Sequence, residues 1–191
     1  MLNISTLFLS YLIGSISFAL VVGKLFYKTD VRDYGSGNLG ATNIFRVFGK
    51  TAGLIVAIAD LLKGTFACLL PQIFNSTVNP IFCGLLAILG HVFPVFAGFK
   101  GGKAVATATG VLLFLTPLGT LTGFIVFILT LLLSKYVSLS SMLAGLAIFI
   151  YSLIFEDNVI IALSLFISVL VIILHRQNIK RIIKGTENKL W

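Results

Sequence analysis

The stretch Thr51–Phe74, TAGLIVAIADLLKGTFACLLPQIF, decides how this chain is read. A helix crossing a bilayer needs ~20 predominantly apolar residues. This segment supplies them while carrying only two charges, Asp60 and Lys63, three positions apart. On a helix that starts at Thr51 they lie about 14 Å along the axis. Charge at such depth is costly and faces the protein interior. Asp60 and Lys63 are therefore expected to pair and to fix helix packing, with a place along a substrate path as the other reading.

The rest of the chain continues the pattern. Of 191 residues, 58% are hydrophobic and 10% charged, and the mean hydropathy is +1.09. These values exclude an ordinary soluble domain and predict an all-α integral membrane protein, read as a single domain over residues 1–191. Apolar runs place about seven spans, each near the ~20-residue requirement or short of it. They lie near Ile4–Phe26, Thr51–Phe74, Ile81–Phe96, Ala104–Leu115, Leu118–Leu133, Leu139–Phe155 and Val159–Leu174. The fourth is short and Pro117 precedes the fifth, so these two are read as tilted helices or as one broken hairpin. The first apolar run lacks a basic flank and is too long for a signal peptide, so it is read as a span. Cys68 and Cys83 lie in apolar segments without metal-ligand spacing, which points to neither a disulfide framework nor a zinc site.

Orientation follows from the cations, because positively charged loops stay on the cytoplasmic side. With the N-terminus outside, the inner segments hold Lys24, Lys28, Arg32, Arg46 and Lys50, then Lys100 and Lys103, then Lys135, then Arg176, Lys180, Arg181, Lys184 and Lys189. The outer loops, Asn75–Pro80, Thr116–Pro117 and Glu156–Asn158, hold none. An odd number of spans and a cytoplasmic C-terminus are expected. Topology and attraction to anionic lipid account for the net charge of +8 without nucleic acid.

This topology puts three polar stretches at the same interface. In YGSGNLGATNIFRVFGK, Tyr34–Lys50, Gly35, Gly37 and Gly40 permit positive φ, and successive amides in such turns can cradle an anion. Ser36, Asn38, Thr42 and Asn43 add hydrogen-bonding groups, and Arg46 adds a planar cation suited to phosphate. The plainer reading is a flexible loop leading into an interfacial amphipathic helix bearing Ile44, Phe45, Val47 and Phe48.

In GHVFPVFAGFKGGKAVAT, Gly90–Thr107, the glycines Gly101 and Gly102 sit between Lys100 and Lys103, and a helix follows at once. Exposed amides, the positive helix end and two ammoniums would converge on a phosphate. The spacing is not that of a Walker A loop, and a short positive-inside turn is the alternative. His91 is read as a hydrogen-bonded core residue. In HRQNIKRIIKGTENKLW, His175–Trp191, His175 and Asn178 share one face of a continuing helix. They either complete a phosphate or hydroxyl site or belong to a basic tail among lipid head groups. Glu187 is expected to pair with a nearby Arg or Lys and to act structurally.

Absent features narrow the chemistry. The chain lacks a GxSxG elbow, an HExxH pair, a Rossmann GxGxxG and an EF-hand loop, and neither histidine is followed by an aspartate five residues on. Phosphate binders are plentiful and an activated nucleophile is missing. Such a site fits a reaction in which the substrates bring the reacting groups while the protein brings position and charge. The acids do not cluster as metal ligands, so neither metal nor cofactor is expected. A transporter of an organic phosphate is the rival reading, although a repeat in the two halves is wanting. A lipid-binding scaffold is a third.

The three stretches, in order, together with DLLKG from Asp60, resemble the signature motifs of the acyl-phosphate-dependent glycerol-3-phosphate acyltransferases of bacterial membranes, the PlsY family. The likeness runs over essentially the whole chain, and no motif position departs from it. It implies acyl transfer from acyl phosphate to the 1-hydroxyl of glycerol-3-phosphate, giving lysophosphatidic acid and inorganic phosphate at the cytoplasmic face of the bacterial inner membrane. No obligate protein partner is implied. By the same resemblance Ser36, Arg46 and Lys103 contact substrate phosphate. Gly37, Asn38, Gly40, Thr42, Asn43 and Lys100 line the binding region, and the backbone at Gly101 and Gly102 cradles glycerol-3-phosphate. His175 and Asn178 complete the pocket. Direct attack without an acyl-enzyme is expected, with a substrate phosphate oxygen as proton acceptor and His175 as the alternative base.

Overall fold

The computed structural model describes residues 2–191, and every regular element among them is helical. The chain forms two compact units, Met1–Phe114 and Leu115–Trp191. In the first, α1 (Leu2–Ser15) and α2 (Phe18–Phe26) lead through a short 3-10 turn, Val31–Asp33, to α3 (Ala41–Phe48), α4 (Lys50–Ile73), α5 (Pro80–Val92) and the start of α6 (Val105–Leu115). The second holds α7 (Pro117–Ser134), α8 (Val137–Phe155), α9 (Asn158–Leu174) and α10 (Arg176–Ile183).

Helices cover each of the seven expected apolar runs, the first of them as a broken pair, and they do not all span alike. Among the described residues four helices are long and apolar enough to cross a membrane, and the number rises to six if each of two bent pairs is one span. α6 is apolar but shorter, 11 residues. At about 1.5 Å per residue it falls well short of the hydrocarbon thickness.

The first span, expected as one helix from Ile4 to Phe26, instead bends by 48° between α1 and α2. Serine supplies the reason. Ser17 caps α2, its hydroxyl accepting from the Leu20 N–H, and serine side chains offer the backbone such alternatives to the helix ladder. At the break the Ile16 carbonyl accepts a hydrogen bond from Lys63 Nζ at 2.7 Å.

Small residues bring the helices of the first unit into backbone contact. A Cβ on Gly14 would strike the Ala87 backbone, one on Gly90 the Tyr11 carbonyl, and one on Gly110 the Leu61 carbonyl. In lipid, where water does not drive helices together, close backbone approach is what makes van der Waals packing effective. Thr65 adds a hydrogen bond from its hydroxyl to the Gly110 carbonyl at 2.8 Å. In the second unit Gly123 packs against Ile148 and the Ala144 carbonyl, and Ser168 donates to the Gly145 carbonyl at 2.7 Å. Asp157 caps α9 by accepting from the Val159 and Ile160 amides, both at 2.9 Å.

Gly110→Ala tests this packing. The added methyl meets the Leu61 backbone, and overpacking of this kind costs about 1–3 kcal/mol. The expected result is a lower melting midpoint in detergent micelles, with secondary structure by circular dichroism unchanged at low temperature.

Candidate active site

The polar stretch before α3 is a loop tied from within. Gly35 and Gly37 adopt left-handed φ values of 61° and 66°, as their sequence context predicts. Gly40 does not. It is extended at φ −130° and precedes the first turn of α3. The loop is held by Asn43, which is buried: its Oδ1 accepts the Ser36 N–H at 2.9 Å, and its Nδ2 donates to the Tyr34 carbonyl at 3.2 Å and towards that of Val31 at 3.4 Å. The Gly37 N–H turns back to the Tyr34 carbonyl at 3.0 Å. Asn43 thus clamps the loop from within, and the amides of Ser36 and Gly37 are both bonded inside it.

What the loop offers outward is side chains. Ser36 is exposed, while Asn38, Thr42 and Arg46 are half-buried. Thr42 and Arg46, four apart, share a face of α3. Ile44 takes the opposite role and joins a core of Ala19, Val22, Val31, Leu39 and Val56. Upstream, Asp30 accepts from Arg32 at 2.9 and 2.6 Å and caps the 3-10 turn, and this guanidinium holds the Asp30 carboxyl far below the usual carboxylate range.

The second stretch also folds back on itself. Gly101 N–H donates to the Val92 carbonyl at 3.2 Å and Gly102 N–H to the His91 carbonyl at 3.1 Å. Both amides are thus engaged within the protein. The glycines are there for space: a Cβ on Gly101 would strike the His91 carbonyl, and one on Gly102 the His91 ring. α6 begins at Val105, after Ala104 in a left-handed conformation with φ 55°. The amides of Val105 and Ala106 open that helix without intrahelical acceptors. Lys103 is half-buried just ahead of them and Lys100 is exposed.

The two stretches meet. A Cβ on Gly102 would sit 2.8 Å from the Leu39 carbonyl, so the backbone at the heart of the first stretch lies on the Gly101–Gly102 turn of the second. Beneath them runs a buried polar chain. Lys63 Nζ lies 2.8 Å from Asp60 Oδ1, His91 Nδ1 lies 3.7 Å from the same oxygen, and Thr107 Oγ1 lies 3.2 Å from His91 Nδ1. The two buried charges of α4, Asp60 and Lys63, are thus paired inside the first unit. Sequence reasoning missed Thr107, because only the fold brings α6 against the end of α5.

The third stretch belongs to the second unit. His175 is not part of a continuing helix: α9 ends at Leu174, and α10 departs at 58°. His175 Nδ1 lies 2.8 Å from the Val171 carbonyl, back along α9. Asn178 turns to Glu187, donating to Oε1 at 2.6 Å, while Ser138 donates to the same oxygen at 2.8 Å and Arg181 Nε lies 2.6 Å from Oε2. Burial pushes the Glu187 carboxyl up, but hydrogen bonds from Asn178, Arg181 and Ser138 outweigh it and hold the group below the ordinary glutamate value. The Leu190 N–H completes the tie with a bond to the Lys135 carbonyl at 2.9 Å. Ser138 could not be found from sequence, because it reaches Glu187 across 49 positions.

By its fold the molecule is an all-helical integral membrane protein. The profile of the family described as Glycerol-3-phosphate acyltransferase matches residues 4–185, and the chain belongs to that family. It is 79% identical to "Glycerol-3-phosphate acyltransferase 2" of Bacillus anthracis, over 99% of this chain and 100% of the relative. It is 52% identical to the glycerol-3-phosphate acyltransferase of Bacillus subtilis (strain 168), over 95% and 94%. Among solved structures it resembles PlsY (YgiH), an integral membrane glycerol 3-phosphate acyltransferase. The glycerol 3-phosphate form matches with a TM-score of 0.90 at 38% identity, covering 98% of this chain and 94% of that one. The lysophosphatidic acid form gives 0.87.

Two variants probe the internal ties. Asn43→Ala removes the acceptor of the Ser36 amide and the donor to the Tyr34 carbonyl, each a hydrogen bond worth about 0.5–1.5 kcal/mol net, and should lower both the melting midpoint and turnover. Glu187 contributes stability that is full above the ordinary glutamate range and is lost as pH falls through its lowered value. Melting curves from pH 7 to pH 3 should therefore show a wild-type decline. Glu187→Gln should begin lower at pH 7 and depend less on acid.

Proposed function

We propose that the chain, acting as one membrane-embedded domain, transfers a fatty acyl group from acyl phosphate to the 1-hydroxyl of glycerol-3-phosphate. The products are lysophosphatidic acid and inorganic phosphate. The observation that carries this reading is the contact of Leu39 with Gly102, which brings the stretch bearing Ser36 and Arg46 beside the one bearing Lys103. In this reading the two cations and the hydroxyl act together, next to the opening amides of α6. The glycerol 3-phosphate and lysophosphatidic acid forms of the similar structure support the choice of substrate and product.

In this reading Arg46, Lys103 and the Val105 and Ala106 amides neutralise substrate phosphate, while Ser36, Asn38 and Thr42 orient it and Lys100 adds to the field that draws it in. Gly37 and Gly40 shape the loop. The donor already carries a good leaving group. The glycerol hydroxyl attacks the acyl carbonyl, the bond to phosphate breaks with its electron pair leaving on phosphate, and the proton ends on a phosphate oxygen. No side chain is acylated and no cofactor or metal takes part. The cation-rich segments support a cytoplasmic-face site in a bacterial cytoplasmic membrane, with the N-terminus outside and membrane lipid as the surrounding partner.

The test is labelled lysophosphatidic acid formed from glycerol-3-phosphate with palmitoyl phosphate or, separately, palmitoyl-CoA. Product from the acyl phosphate alone is expected, with Arg46→Ala and Lys103→Ala each lowering turnover about 100-fold or more, the scale for removing one charge-stabilising donor. Covalent acyl label on Ser36 would sink the direct attack. His175→Ala separates the bases: a loss far beyond ~10²-fold assigns proton removal to His175, and a smaller one keeps it on substrate phosphate.

A further inference from the structure

We propose that Asp60, Thr107 and His91 form a positioning device for Lys103, with the His91 ring as the floor on which the Gly101–Gly102 turn rests. The proposal builds on the reading of Lys103 as a phosphate-binding residue.

Asp60, Lys63 and His91 are 1%, 4% and 6% exposed, so each must be satisfied within the protein. Lys63 has its own task, donating to the Ile16 carbonyl at the break between α1 and α2 and lying 5.8 Å from the centre of the Phe18 ring. Asp60 compensates that ammonium at 2.8 Å, and the same Oδ1 looks towards His91 Nδ1. Thr107, from the first turn of α6, sets its hydroxyl against that nitrogen. A carboxylate from α4 and a hydroxyl from α6 therefore address one edge of the ring.

The opposite edge meets Gly102. A methyl group there would overlap His91 Nε2, and the Gly102 N–H is bonded to the His91 carbonyl. His91 thus holds Gly102 through both its ring and its backbone, while the Leu39 carbonyl closes the other side. Lys103 is the next residue. Ala104, which follows it, and Phe99, four residues before it, adopt φ values of 55° and 60°, a conformation non-glycine residues keep only when their surroundings impose it. Side-chain placement at such a site depends on the shell behind it, and here that shell is a ring whose rotation Asp60 and Thr107 fix.

Buried ion pairs can often be neutralised without loss of stability, so two roles are separable. If Asp60 only balances Lys63, removing both charges leaves substrate binding intact. If Asp60 also orients His91, it does not. The double variant Asp60→Asn/Lys63→Gln keeps a donor for the Ile16 carbonyl and removes both charges. Its KM for glycerol-3-phosphate is expected to rise about tenfold, within the ~100-fold that a 1 Å misplacement can cause, with the KM for acyl phosphate near wild type. Thr107→Val is milder and leaves the ion pair untouched. It should raise the same KM about threefold, and Thr107→Ser should restore it.

A readout without turnover accompanies these. In Lys103→Cys protein, where the native Cys68 and Cys83 are buried, the rate of modification by a charged maleimide reports the position of residue 103. Adding Thr107→Val should change that rate severalfold and adding Thr107→Ser should leave it. An unchanged KM and labelling rate in folded Thr107→Val protein would overturn the proposal. A wild-type protein that forms no lysophosphatidic acid instead counts against the acyltransferase reading, and the labelling rates then decide the positioning role by themselves.

Discussion

A helix broken inside a bilayer must find partners for the backbone groups that the break exposes, because lipid offers none. Here the partner for the Ile16 carbonyl is the ammonium of Lys63, and a chain of buried polar contacts in the first unit starts from it. An ammonium in such surroundings needs an anion, which Asp60 supplies one helical turn away. The carboxylate lies near His91, His91 lies against Gly102, and Gly102 precedes Lys103. A local irregularity in the first span is thus connected by direct contacts to the residue proposed to meet substrate.

Glycine has two uses in this protein. At Gly35 and Gly37 it permits a left-handed backbone that turns the first polar loop. At Gly14, Gly90, Gly102 and Gly110 it simply leaves room, so that backbone can lie on backbone. The second use explains why the Gly101–Gly102 pair is rich in contacts although its amides are already bonded to the end of α5. The loops are preorganised by their own hydrogen bonds. In the proposed reaction, catalysis by position and electrostatics then falls to the charged and hydroxyl side chains of these stretches.

The second unit follows a parallel logic with a different charge. Glu187 gathers donors from Ser138, Asn178 and Arg181 and so fixes the chain beyond α10 to the start of α8. A carboxylate with three donors on two oxygens is well satisfied despite burial. Asn178 is thereby committed to the protein's own architecture through its Nδ2.

The sequence by itself determined the all-helical membrane class, the positions of the apolar helices, the inward pairing of Asp60 with Lys63 and the family. These rest on hydrophobic run length, charge placement and motif order, which are properties of neighbours along the chain. It also pointed to a phosphate-bearing substrate, since cations and hydroxyls cluster in the three polar stretches. It did not determine the break at Ile16 and Ser17, because an apolar run containing serines reads the same whether straight or bent. Nor could it tell that Asn43 faces its own loop, that the Gly101 and Gly102 amides return to α5, or that α10 turns away from α9. Each of those depends on which hydrogen-bond acceptor lies nearest in space, and contacts such as Leu39 with Gly102 or Ser138 with Glu187 exist only once the helices have packed.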